Sequence, residues 1–135
     1  MSSAITNDID VIYSRDIIER ITELERNIEG EIITLIDNED WAAIDDIDND
    51  ELSELAELKK LASQCEGVGD WEYGELLIRR SHWIAYVEEL LRDIGALPAD
   101  IPWYVEIDWE TTARNIEIDD YMSVDFGDVE YLIRM

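Results

Sequence analysis

His82 is the one histidine of the chain and Cys65 the one cysteine. Nucleophilic or general-base chemistry would therefore run through one of these two or through carboxylates. His82 stands before Trp83 in a helical stretch with no serine or cysteine motif beside it, which reads as a structural or surface histidine. Cys65 falls on the apolar side of a helical pattern. Acidic neighbours raise a thiol pKa rather than lower it, so Cys65 reads as a small core residue. The stretch GVGD at 67–70 lacks the third glycine and the following lysine of a phosphate loop. Paired carboxylates of the glycosidase kind carry no information here, because 35 acidic residues supply any spacing. The expectation is a protein that is not an enzyme and uses no cofactor.

A metal reading has more shape. Asp46, Asp48, Asp50 and Glu57 fall at positions 1, 3, 5 and 12 of an EF-hand loop. Position 6, however, is Glu51 where the sharp turn wants glycine, and position 8 is Ser53 where an apolar residue pairs the loops. ELSELAELKKL from 51 onward also has helical periodicity, which would carry Glu57 into a helix. Calcium binding at 46–57 stays as an alternative, and no metal ligand is assigned.

The charge itself is the larger signal. Ten basic residues against 35 acidic ones give a net charge of −25 on 135 residues. Such a surface repels nucleic acid and anionic membranes, which excludes direct DNA or RNA binding as an expectation. Hydrophobic residues at 47%, with five Trp and six Tyr, separate the chain from a disordered acidic tail. Cysteine usage, the absence of a long apolar run and an N-terminus without basic and apolar leader regions point to a cytoplasmic protein. Residues 1–58 balance at 3 − 18 = −15, and residues 37–54 hold nine acids and no base. Like charges recur at helical neighbours, as in Glu19/Glu23, Glu25/Glu29 and Glu51/Glu54/Glu57. Each such pair costs roughly 0.2–0.5 kcal/mol. Three charges over Glu51–Glu57 occupy about 9 Å of helix axis, against one per roughly 1.7 Å in duplex DNA. Imitation of nucleic-acid phosphates and a halophile's acidic coat are both open on composition.

The elements that must position these groups follow from periodicity and punctuation. Ser14 opens a helix with an apolar stripe at Ile17, Ile18, Ile21, Leu24 and Ile28, fraying near Gly30 or continuing through Ile36. Residues 37–48 read as loop or short turns. A second helix follows an Asp48–Asp50 cap, with Leu52, Leu55, Leu58, Leu61 and Cys65 inward and Gly67 as its stop. Residues 71–80 read as a short helix. Residues 81–94 read as a longer one, turning Trp83, Tyr86, Val87, Leu90, Leu91 and Ile94 inward and ending at Gly95. Pro98 and Pro102 mark an extended crossing, and Asp108 caps a helix through about Asn115. The tail alternates, with Met122, Val124 and Phe126, then Gly127–Asp128, then Val129, Tyr131 and Ile133, a hairpin signal. The expected fold is α+β: a mainly helical single domain over 1–135 with a short C-terminal antiparallel β-hairpin.

The second half carries a family pattern. WIAYVEELLRDIGALP at 83–98 and YVEIDWETTARNIEIDDYMSVDFGDVEYLIR at 104–134 resemble the C-terminal region of ArdA-type antirestriction proteins. The matching features are Tyr86, Glu88, Glu89 and Leu90, then Ile107-Asp108-Trp109-Glu110 with Ala113-Arg114, and the acidic hairpin ending in Arg134. The resemblance spans residues 67–135, whereas the acidic helical segment formed by residues 1–66 departs from the family. It implies a phage-type acidic inhibitor that mimics DNA and blocks a nucleic-acid-binding site in a host defence complex. The implied partner is a type I restriction–modification enzyme or a CRISPR–Cas effector with a basic groove, met in the infected cell's cytoplasm. A homodimer is the assembly found in that family, and the family carries no catalytic or metal residues. Charge mimicry is assigned to Asp37, Glu39, Asp40, Asp45, Asp46, Asp48, Asp50, Glu51 and Glu54, with Trp41 as an aromatic anchor; Tyr73 is a second candidate anchor for which a place in the core is equally open. An acidic adaptor that inhibits its partner allosterically is the alternative.

Overall fold

The computed structural model describes residues 4–39, 49–96 and 101–135. Within them the chain runs β1 (Val11–Tyr13), α1 (Ser14–Asp37), α2 (Asn49–Gln64), β2 (Leu76–Arg79), one 3-10 turn (Arg80–His82), α3 (Trp83–Asp93), α4 (Trp109–Asp120), β3 (Tyr121–Phe126) and β4 (Val129–Arg134). The architecture is α+β. The four strands form one antiparallel sheet in the order β1-β2-β4-β3.

Strand β4 explains the layering. Side chains alternate across a strand, and here both faces are apolar: Tyr131 and Ile133 point one way, Leu132 the other, all fully buried. A strand greasy on both sides must be covered on both sides. Tyr131 and Ile133, with Ile12, Leu77, Val124 and Phe126, pack against Ile17 and Leu24 of α1 and Leu58, Leu61 and Cys65, which lie along and just beyond α2. Leu132 and its cross-strand partner Ile78 pack against Trp83 and Val87 of α3 and Ala113 of α4. The sheet thus lies between two helical layers, and its register fixes which residue joins which layer. Burial of each large apolar side chain contributes on the order of 1.5–3 kcal/mol.

The C-terminal hairpin forms where the alternation predicts it, with Phe126 opposite Val129. Gly127 sits at φ +63, the first turn position that a primed hairpin turn reserves for glycine. The hairpin is half of a larger sheet, because two further segments pair as strands. Val11–Tyr13 carries no strand pattern in sequence, and Leu76–Arg79 lies inside the segment expected to be a helix at 71–80. Residues 71–73 are turns instead, and Leu77 and Ile78 face opposite helical layers. Tertiary pairing with β4 overrides the local preference of LLIR, as it does for short apolar runs. At Gly74, φ is +127 and the Tyr13 ring occupies the space a Cβ would need.

The helices are corrected in detail. Helix α1 takes the longer of its two readings and continues to Asp37. Ser14 does not cap its own helix: its buried hydroxyl donates to the Trp71 carbonyl (2.9 Å) and accepts from the Glu75 amide (2.7 Å). Asp108 does cap α4, its carboxylate accepting from the Thr111 amide at 3.1 Å, but that helix extends to Asp120 rather than Asn115. Leu52 and Ile94, expected inside, are exposed at 40% and 65%. Leu52 lies only three residues into α2, and Ile94 follows the last residue of α3, each beyond the reach of the helical layer its stripe predicts.

Candidate partner-binding surface

Of the residues assigned to charge mimicry, Asp37, Glu39, Asp50, Glu51 and Glu54 are described, whereas Asp40, Trp41, Asp45, Asp46 and Asp48 lie outside the described residues. Asp37 closes α1 and Glu39 stands two residues on, both exposed. Asp50 is exposed in the first turn of α2, and Glu51 beside it is half-buried.

Glu54 is turned inward. Its two oxygens accept from Arg20 Nε at 2.6 Å and Nη2 at 2.9 Å, and the Ile5 amide donates to the first of these oxygens at 3.3 Å. Side-chain exposures of 11% for Arg20 and 14% for Glu54 make this a largely buried, two-pronged ion pair. The Glu54 hydrogen bond is the main reason the Arg20 guanidinium is held even more firmly protonated than usual. Glu54 therefore ties α1 to α2 and presents little charge outward.

Other bases are engaged at more exposed sites. Lys59 meets Glu25 at 3.0 Å, Arg92 meets Glu88 at 3.0 Å, and Arg80 is shared by Glu117 and Glu130. Arg15 and Arg79 donate to the main-chain carbonyls of Glu72 and Asn7. With six of the ten cations so engaged against 35 acidic residues, the exposed carboxylates set the outward field.

The far end of α1 concentrates that field. Ile28 is the last residue of the helix that is buried among the described side chains, and the nine residues after it extend about 14 Å at 1.5 Å each. Glu29, Glu31 and Asp37 are exposed along it and Glu39 just beyond it, and the last turn holds no basic residue. A helix C-terminus carries partial negative charge, so Asp37 stands where a cation would be stabilising. Glu39 adopts φ +55, the left-handed position that commonly follows a helix as glycine. Ile33 and Ile36 are exposed beside these charges.

Metal and nucleophile chemistry find little support in these residues. Helix α2 starts at Asn49, so Asp50 through Glu57 lie on a helix and do not form an EF-hand loop. Among the described residues, no group of three or more histidines, cysteines and carboxylates could hold a metal ion. Burial pushes the Cys65 thiol up to about 11, which keeps it protonated at neutral pH. His82 is half-buried, with Nδ1 3.9 Å from Asp10 Oδ2.

Aromatic exposure is distributed differently from expectation. Tyr73, for which core and surface were equally open, is exposed, but the most exposed ring among the described residues is Trp103 at 92%, followed along the chain by Tyr104 at 70%. Their rings meet edge to face, centroids 5.7 Å apart. They follow Pro102 in the extended crossing and carry no expected role. Their one advance signal is position, directly after Pro102 between helices, where no periodicity turns them inward.

No family model, curated protein or solved structure matches the chain. No helix among the described residues is long and apolar enough to cross a membrane.

Proposed function

We propose that the chain is an acidic, phage-type inhibitor that occupies the basic nucleic-acid-binding site of a bacterial defence complex. The targets are a type I restriction–modification enzyme or a CRISPR–Cas effector. It acts as a binding protein without catalysis, in the cytoplasm of the infected cell. The observation that carries the reading is the end of α1: a helix that runs on with exposed Glu29 and Glu31 and closes on Asp37, followed by exposed Glu39, against its own dipole. Folding stability alone disfavours that placement, whereas a basic partner groove reverses its sign. The resemblance of residues 67–135 to the ArdA-type C-terminal region supports the same class.

Mimicry makes a kinetic and a competitive statement. Long-range attraction speeds association and fades as salt shortens the Debye length from about 10 Å at 0.1 M to 3 Å at 1 M. Competition is read by fluorescence anisotropy, with labelled target DNA preloaded on the restriction or CRISPR complex. The expected result is displacement of the DNA by the protein, reversed by excess unlabelled duplex and lost at high salt. A ternary complex in which labelled DNA stays bound while the protein co-sediments would replace mimicry with allosteric inhibition.

A further inference from the structure

We propose that Trp103 and Tyr104 form an arginine-binding anchor: a partner's guanidinium stacks on the Trp103 ring over the cleft between the 101–109 segment and the end of α3. This deepens the proposed function and rests on its premise that the partner surface is basic. The cleft measures about 330 Å³ and is lined by Arg92, Ile101, Trp103, Val105, Ile107 and Trp109. That volume admits a planar side-chain head.

Three observations select the occupant. First, Trp103, the most exposed tryptophan among the described residues at 92%, stands beside an exposed tyrosine and the exposed Val105. Grouped exposed aromatics of this kind mark contact sites, where Trp and Tyr dominate the binding energy. Secondly, the residues adjoining the cleft in sequence are exposed carboxylates: Asp93 after Arg92, and Glu106, Asp108 and Glu110 within and after the segment. Their charge, together with the negative π-face of the ring, favours a cation and opposes an acidic or purely apolar partner. Thirdly, the cleft's own guanidinium is engaged elsewhere, since Arg92 Nη2 meets Glu88 Oε1 at 3.0 Å within α3.

Arginine is preferred to lysine on physical grounds. Its guanidinium is planar and weakly hydrated, stacks on an aromatic face, and still offers in-plane donors to carboxylates. An ammonium is a strongly hydrated point charge and loses more water on reaching the same place. The anchor thus adds a short-range, residue-type preference to a long-range, charge-only attraction.

The test uses octa-arginine and octa-lysine peptides as probes, titrated calorimetrically into the full chain at about 0.15 M salt. Wild type is compared with Trp103→Ala, Tyr104→Ala and, as an exposed aromatic away from the cleft, Tyr73→Ala. Circular dichroism verifies the fold of each variant. Wild type is expected to bind octa-arginine more tightly than octa-lysine, and Trp103→Ala to weaken octa-arginine about five-fold, from roughly 1 kcal/mol of cation–π attraction. Octa-lysine should change little, and Tyr73→Ala should leave both unchanged. If both peptides bind but Trp103→Ala spares the arginine preference, the anchor is overturned while the basic-partner reading stands. If neither peptide binds, the premise of a cation-accepting surface fails and both proposals fall together.

Discussion

Arg20 and Glu54 illustrate at the residue scale how one carboxylate can serve the fold while its sequence neighbours face solvent. Removing one partner of a buried pair strands the other, at a cost of about 3–5 kcal/mol. Because the pair keeps 11–14% exposure, Arg20→Met is expected near the lower end, read as a fall in the denaturant midpoint. Glu39 gives the opposite case. Its left-handed backbone costs a non-glycine residue on the order of 1 kcal/mol. Glu39→Gly should therefore raise the melting temperature while weakening target binding; a variant that gains stability and binds as before would remove Glu39 from the contact surface. Glu117 supplies a pH dependence. Arg80 donates to its carboxyl and holds it below the ordinary value of 4.5. The folded state then binds fewer protons than the unfolded one in the acid range, so stability rises with pH there. This contribution is fully present above pH 4.5 and is lost as pH falls through the folded value. Acid unfolding of Glu117→Gln should show the difference from wild type shrinking as pH drops from 4.5 through the folded value.

Elements extend the account to what protects and what exposes the chain. Strand β3 is a sheet edge, and edges invite pairing with other chains. Gln64 at the end of α2 closes a stretch of it as a side-chain surrogate for a strand, donating to the Asp125 carbonyl and accepting from the Asp125 amide, both at 2.8 Å. Gln64→Leu removes both bonds, costing roughly 1–3 kcal/mol, and should raise self-association detected by analytical ultracentrifugation. Gly74 secures the entry to β2, where a Cβ meets the Tyr13 ring. The periodicity of α1, α3 and the hairpin was legible because a whole face repeats over several turns or pairs. Strands β1 and β2 were not: three and four residues are too short for a period to declare itself. Their identity comes from the partners across the sheet.

For the whole molecule, a charge of −25 opposes compactness, and salt relieves it. The melting temperature should rise between about 10 mM and 1 M salt, since the Debye length contracts roughly ten-fold. A cooperative transition retained at the low end fits the mimic, while loss of structure there fits a halophile's coat. Reversing Asp37, Glu39, Asp40 and Asp45 to lysine takes the charge to −25 + 8 = −17. That variant should be no less stable at low salt, yet bind its target more weakly and with a shallower salt dependence. Unchanged affinity would move the contact surface away from this segment.

The sequence alone determined what composition and long repeats control. These are the acidic balance, the supply of a single histidine and a single cysteine, the apolar stripes of α1 and α3, and the Gly127–Asp128 hairpin. Tertiary structure decided what depends on partners distant along the chain. It made β4 a central strand covered on both faces, drew Glu54 inward to Arg20, and kept Glu39 out. It also left Trp103 exposed, a residue whose chemistry alone would place it inside. A side chain's type sets what it can do, but its burial and charge partner follow from which other elements arrive beside it.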